Sequence, residues 1–207
     1  KFTKPIFFGI MKLNNFLESD VIKMNSQEIN KFIKENVDKI YDEMVKVRRT
    51  IHENPELGDE EFETSKLIKR FLTENGIEFF EVINTGVVAT IYNDKENMEN
   101  KTVATRADID ALPIFEENDV DYKSKNTGKM HACGHDAHTT IQLGVAKVLA
   151  ENKDKWHGTA RFFFQPAEET SGGSDRMIKA GALEFEKEKD RKIDAFFALH
   201  MAPEIEL

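Results

Sequence analysis

An α/β fold, with a mixed, mainly parallel sheet flanked by helices, is what this 207-residue sequence predicts, and three observations predict it. Two early segments, over 26–53 and 59–74, keep apolar residues at helical spacing. Two later runs, Thr159 to Phe164 and Ile193 to Leu199, are apolar on both faces apart from Arg161, the pattern of strands buried in a helix-covered sheet. The strand candidates after Lys101 all run into acidic or histidine residues, and α/β sheets place their sites outside the carboxyl ends of strands.

The first helix carries Ile29, Phe32, Ile33, Val37, Ile40, Tyr41, Met44, Val45 and Ile51 on its apolar stripe, and Pro55 closes it. The second buries Phe62, Ile68, Phe71 and Leu72 and stops at Asn75-Gly76. Val87 to Tyr92 and Thr102 to Thr105 are β-rich runs joined by the polar stretch Asn93 to Lys101, and they read as an antiparallel hairpin. Ile141, Val145, Val148 and Leu149 mark a helix that begins near Asp136 or Ala137. Glu184 to Lys192 reads as a charged surface loop.

The length allows one good core or one and a half. A formal charge of −9 disfavours nucleic acid or an anionic membrane as partner, since either needs a basic face. One cysteine cannot close an internal disulfide, so a cytoplasmic enzyme is the default expectation. Residues 1–25 read as an N-terminal extension. Their apolar run Phe2, Ile6, Phe7, Phe8 and Ile10 is too short to span a bilayer and lacks a signal-peptide cleavage site, and Met24 reads as the natural start. Residues 26–207 are the expected folded part.

Residues 131–138 read His-Ala-Cys-Gly-His-Asp-Ala-His, which puts the single cysteine two positions from a histidine. Thiolate and imidazole are preferred ligands of zinc and its first-row neighbours, and an i, i+2 pair on extended backbone points both side chains one way. A helix start at this place favours a thiolate. Asp108, Asp110, Glu168, Glu169 and His200 lie at the ends of the strand candidates and would join Cys133 and His135 on one rim. Such a set suffices for one divalent metal ion or two, and manganese, zinc, cobalt and nickel all suit it. Adjacent glutamates on an extended segment point in different directions, so one of Glu168 and Glu169 can hold metal while the other handles protons. The plainer reading is a solvated acidic turn after Pro166.

A cysteine hydrolase with Cys133 as nucleophile and His135 as base is the competing chemistry, but that spacing is awkward and leaves Glu168, Glu169 and His200 without a role. His52 reads as a capping or surface histidine and His157 as exposed; His131 and His138 flank the pair and would orient ligands. Gly172-Gly173 reads as a flexible turn that brings the next helix close.

Arg106-Ala-Asp-Ile-Asp-Ala-Leu-Pro113, Gly128-Lys-Met-His-Ala-Cys-Gly-His-Asp-Ala-His138, Phe164-Gln-Pro-Ala-Glu-Glu169 and Leu199-His200 resemble the ordered motifs of amidohydrolases typified by hippurate hydrolase, indole-3-acetyl-amino-acid hydrolase and N-acetyldiaminopimelate deacetylase. These belong to the aminoacylase and carboxypeptidase clan of two-metal hydrolases. Arg48 to Leu57 resembles the end of that family's N-terminal helix, and the likeness covers roughly residues 40 to 207. The resemblance implies Cys133, His135, Glu169 and His200 as metal ligands, Glu168 as general base, and Asp108 or Asp110 in a supporting catalytic role. It implies hydrolysis of N-acyl amino acids or related small amides by metal-activated water, with a dipeptidase or carboxypeptidase as the close alternative. In such enzymes the catalytic domain is interrupted by an inserted domain that often dimerises, and a late histidine completes the ligand set. Because 207 residues stop before that insertion, the chain reads as the N-terminal portion of the catalytic domain, inactive or nearly so by itself. An inactive remnant that binds metal without turnover is the non-enzyme alternative.

Overall fold

The computed structural model describes residues 25–96, 98–185, 187 and 189–202, so the expected extension over 1–24, with its apolar run and Met24, lies outside the described residues. Asn25 belongs to the folded part. Its side chain accepts the Gln27 and Glu28 N–H groups while Glu28 accepts the Asn25 N–H at 2.9 Å, a capping box that starts α1 (Ser26–Glu53). α2 (Phe62–Glu74), β1 (Glu78–Val82), β2 (Gly86–Asn93), β3 (Thr102–Asp108), α3 (His135–Glu151), β4 (Gly158–Gln165), α4 (Gly173–Lys179) and β5 (Ala195–Ala198) follow. Among the described residues no helix is long and apolar enough to cross a membrane.

The expected architecture, a mixed sheet flanked by helices, is what forms, in the order β1-β2-β4-β3-β5. β1 and β2 pair antiparallel, as do β2 and β4, while β4–β3 and β3–β5 are parallel. The expected hairpin between the second and third of these strands is therefore wrong. β2 turns back on β1, which the sequence reading overlooked, and β4 lies between β2 and β3. The physical reason lies in the connection: residues 94–101 are too many for the ~2–5-residue loops that hairpins favour, and β4, buried along its whole length, takes the central place.

One face of the sheet buries Val87, Ala89, Ile91, Phe162 and Phe164 against Ile68, Leu72 and Leu143 of α2 and α3. Each such side chain contributes roughly 1.5–3 kcal/mol relative to exposure. α1 packs on α3 at Gly144, where an added Cβ would stand 3.2 Å from Met44 Sδ. The other face buries Val88, Ala104, Phe163 and Met177. Arg161 points into it, fully buried, donating to the Ala182 carbonyl at 2.8 Å with its guanidinium 4.1 Å from the Phe185 ring. β5 departs from expectation. It is an edge strand of the described sheet, and Phe196 (50% exposed) and Phe197 (39%), which point to opposite faces, are open because the helices that cover β4 do not extend over it.

Candidate metal centre

The parallel trio β4, β3 and β5 brings its carboxyl ends to one rim: Asp108 lies in register with Gln165, and Arg106 with Ala198. The segments leaving these ends carry Asp110, Glu168, Glu169 and His200, and α3 starts at the same rim with Cys133 and His135. The predicted residues therefore do converge.

The cysteine and histidine are not on extended backbone as expected. Gly134 between them has φ 94°, and a Cβ there would stand 2.8 Å from Met201 Cγ, so a glycine at this left-handed position lets α3 begin at His135. Cys133 Sγ, a His135 ring nitrogen and a Glu169 carboxylate oxygen all lie within 4.8 Å of one another. His200 Nε2 is 3.5 Å from Cys133 Sγ. Glu168 and Glu169 stand in a turn after Pro166, not on an extended segment, and Glu168 Oε1 is 3.9 Å from the Arg106 guanidinium.

Hydrogen bonding fixes which nitrogen of each ring donates. His135 Nδ1 faces the Asp110 carbonyl at 2.8 Å and Asp110 Oδ1 at 3.2 Å, so it donates, and in the neutral ring the lone pair lies on Nε2. Burial opposes a charge here, but Asp110, Asp108 and Glu169 outweigh it and raise the pKa, so a cation bound at Nε2 would displace a proton. That Nε2 is buried and has no hydrogen-bond partner; it stands 3.7 Å from Glu169 Oε1 and 3.5 Å from Asp108 Oδ2. His138 Nε2 accepts the Met201 N–H at 2.8 Å, which leaves Nδ1 to donate to Asp108 Oδ1 at 2.6 Å. His138, although close to Asp108 and His135, is thus already spent on both nitrogens.

Asp110 and Asp108 divide the supporting work. Asp110 holds His135 through one oxygen and accepts the Glu169 N–H through the other at 3.0 Å. Asp108 holds His138 and pairs with Arg106 at 2.6 Å. Burial works against both charges, yet the neighbouring histidines, with Arg106 beside Asp108 and the Glu169 N–H on Asp110, keep both carboxyls below their ordinary pKa. Cys133 shows the opposite. Burial, then the Glu169, Asp108 and Glu168 carboxylates, push its thiol up to about 11, so the helix start does not by itself deliver the expected thiolate. An uncompensated negative cluster around a thiol and an orphaned imidazole nitrogen is what a divalent cation relieves, and the donor set fits one.

Three expectations about neighbouring residues fail. His52 is only 3% exposed: its Nδ1 meets Asp136 Oδ2 at 2.7 Å and its Nε2 meets Glu116 Oε1 at 3.0 Å, a buried tie between α1, α3 and the 112–130 loop. His157 is buried beside Asn100. His131 has both ring nitrogens buried without partners and contacts no proposed ligand by hydrogen bond; burial lowers its pKa to about 4. The sequence reading also passed over Glu56, which caps α2 by accepting the Thr64 N–H and hydroxyl at 2.8 Å each, and Glu61, which is wholly buried. Both stand among surface acids in a charged stretch, where spacing carries no signal of burial.

Comparison with known proteins gives the site its context. The family described as peptidase family M20/M25/M40 matches residues 104–207. An IAA-amino acid hydrolase of Arabidopsis thaliana is 47% identical over 167 residues, covering 80% of this chain and 36% of the relative. An N-acetyl-L-cysteine deacetylase of Bacillus subtilis is 43% identical over 171 residues, covering 82% and 39%. A crystal structure of a Bacillus subtilis protein, described as a dinuclear metal binding peptidase from the M20 family, superposes with a TM-score of 0.71 at 40% identity, covering 80% of this chain and 44% of that one. The chain spans about two fifths of the length of the curated relatives it matches.

Proposed function

The chain belongs to peptidase family M20/M25/M40, and on that premise we propose that it is the N-terminal portion of a catalytic domain that hydrolyses N-acyl amino acids or related small amides with two divalent metal ions. The observation that carries the reading is the buried, unpartnered His135 Nε2, converging with Cys133 Sγ and a Glu169 oxygen. Cys133, His135, Glu169 and His200 are the ligands in this proposal. Asp110 orients two of them at once, and Asp108 acts through His138, whose bond to the Met201 N–H holds the backbone beside His200.

Bound divalent metal supplies Lewis acidity, which acidifies water and polarises a carbonyl. The chain's own contribution to the chemistry is Glu168. It is exposed on the rim next to Glu169, free to take a proton from the attacking water and pass it to the departing amine. Arg106 lies between Asp108 and Glu168 and holds the first firmly at 2.6 Å, so its charge is fixed beside the base. The substrate class is supported by the relatives, whose names point to amino-acid conjugates and an N-acetyl amino acid. Manganese, zinc, cobalt and nickel all suit a sulfur, nitrogen and oxygen donor set.

A panel of N-acyl amino acids and dipeptides, assayed on the full-length protein that carries this chain, tests the reading. Chelation is expected to abolish cleavage of the N-acyl substrates, and manganese, zinc or cobalt to restore it; activity that survives exhaustive chelation contradicts it. A preference for dipeptides selects the peptidase reading, which the neighbour described as a peptidase favours.

A further inference from the structure

Glu61 sits at the start of α2, outside every motif that brings donors to the rim, and it is fully buried. One carboxylate oxygen accepts the Ala167 N–H at 2.8 Å and the other accepts the Thr85 hydroxyl at 2.8 Å. Ala167 is itself buried at φ 50°, a left-handed conformation that is unfavourable for a non-glycine residue and persists only where the surroundings over-determine it. It directly precedes Glu168 and Glu169, so its backbone sets the direction in which both leave β4.

The rest of the loop before α2 closes around the same turn. A Cβ on Gly58 would stand 2.4 Å from Thr170 Oγ1 and 3.1 Å from Ala167 Cα, and Asp59 accepts the Ser171 hydroxyl at 3.0 Å. From the far side Gly173 donates to the Ala167 carbonyl at 3.2 Å, and a Cβ there would overlap the Pro166 oxygen at 1.8 Å. Gly173 is therefore fixed by close backbone approach, in place of the flexible turn the sequence suggested. Burial pushes the Glu61 pKa up, against the donors gathered on it. An apolar side chain would fill the space without that desolvation; the carboxylate adds a fixed acceptor for one backbone N–H in a turn whose direction matters.

We infer that Glu61 is a positioning residue for the Glu168–Glu169 turn, placing Glu169 beside Cys133 and His135 through the Ala167 N–H, from a loop that contributes no donor of its own. The inference rests on the proposed reading of Glu169 as a ligand. Cobalt(II) titration of the chain, followed by the thiolate-to-cobalt absorption of Cys133, tests it without any turnover. Glu61→Met keeps the volume and removes the acceptor, and is expected to weaken cobalt binding by ~10–100-fold, the range for loss of an outer partner of a ligand. Glu61→Gln keeps an acceptor for the Ala167 N–H and is expected to restore affinity to near the wild-type value. Thr85→Val, a milder change that frees only the other oxygen of the same carboxylate, is expected to give a smaller loss in the same direction. Thr64→Ala removes a hydroxyl bond to Glu56 at the same helix start, so it lowers the melting temperature and leaves cobalt affinity alone. A wild-type cobalt band that Glu61→Met and Thr85→Val leave unmoved overturns the positioning role alone, and so does a loss that Thr64→Ala reproduces in full. A wild-type chain with no thiolate band overturns the metal reading and this inference with it.

Discussion

Two histidine-centred clusters meet at the start of α3, His135 belonging to one and the adjacent Asp136 to the other. They use the same residue types and are finished differently. His52 itself is fully answered: both ring nitrogens meet carboxylates, Asp136 also takes the Arg48 guanidinium at 2.8 Å, and Glu116 accepts the Ser124 N–H at 2.6 Å. Around His135 one nitrogen is answered by Asp110 and the other faces a thiol and carboxylates with nothing to bond. A closed set of charges holds elements together, and an open set at a strand-end rim is a place for a ligand. Burial does not separate His52 from His135, at 3% and 1%; the difference is an unmet nitrogen that stands among other donor atoms, which His131, with both nitrogens unmet but in no such group, does not share.

Substitutions that break this contrast should do so asymmetrically. The largest effect is expected from Glu168→Gln in the full-length protein, with turnover falling ~10²–10⁴-fold, as loss of a general base does, while metal affinity holds. Unchanged turnover removes Glu168 from the mechanism. In the closed cluster, His52→Gln removes the cation held between two buried carboxylates, and chemical denaturation of the chain should show a loss of about 3 kcal/mol. A loss confined to metal binding, with stability intact, would merge the two clusters into one functional unit. Asp110→Asn touches the open cluster from behind and is expected to weaken metal binding by ~10–100-fold in a calorimetric titration, with a smaller change in stability.

The smallest effect sharpens the comparison through pH. Burial opposes a charge on His52, but Asp136 and Glu116 together outweigh it and raise its pKa above 6.5. A raised histidine contributes stability in full below about 6.5, and loses it as pH rises through the folded value. The gap in melting temperature between wild type and His52→Gln is accordingly expected to be wider at pH 6 than at pH 9. An equal gap at both would mean that His52 is held neutral.

The rim was legible in the sequence because it is built from strand ends, and period-two and apolar-run patterns mark where strands end. Asp108, Glu169, Cys133, His135 and His200 could be gathered on that logic without coordinates. What could not be read was pairing partners and backbone handedness. β4 is central because it is buried on both faces and both edges, a fact about its neighbours, and so the hairpin reading of β2 and β3 failed. The left-handed conformations of Gly134 and Ala167, which aim Cys133 and the glutamates, leave a trace in sequence only at the glycine. His52 and Glu61 hide for another reason: each lies in a charged stretch of the chain and meets side-chain or backbone partners at least 24 positions away.

X-ray absorption on the zinc-loaded chain addresses the open cluster most directly. One sulfur scatterer is expected at about 2.3 Å with nitrogen and oxygen at about 2.0–2.2 Å, the sulfur vanishing in Cys133→Ser. Zinc that washes out of the wild-type chain on desalting, or a shell of nitrogen and oxygen alone, would contradict it.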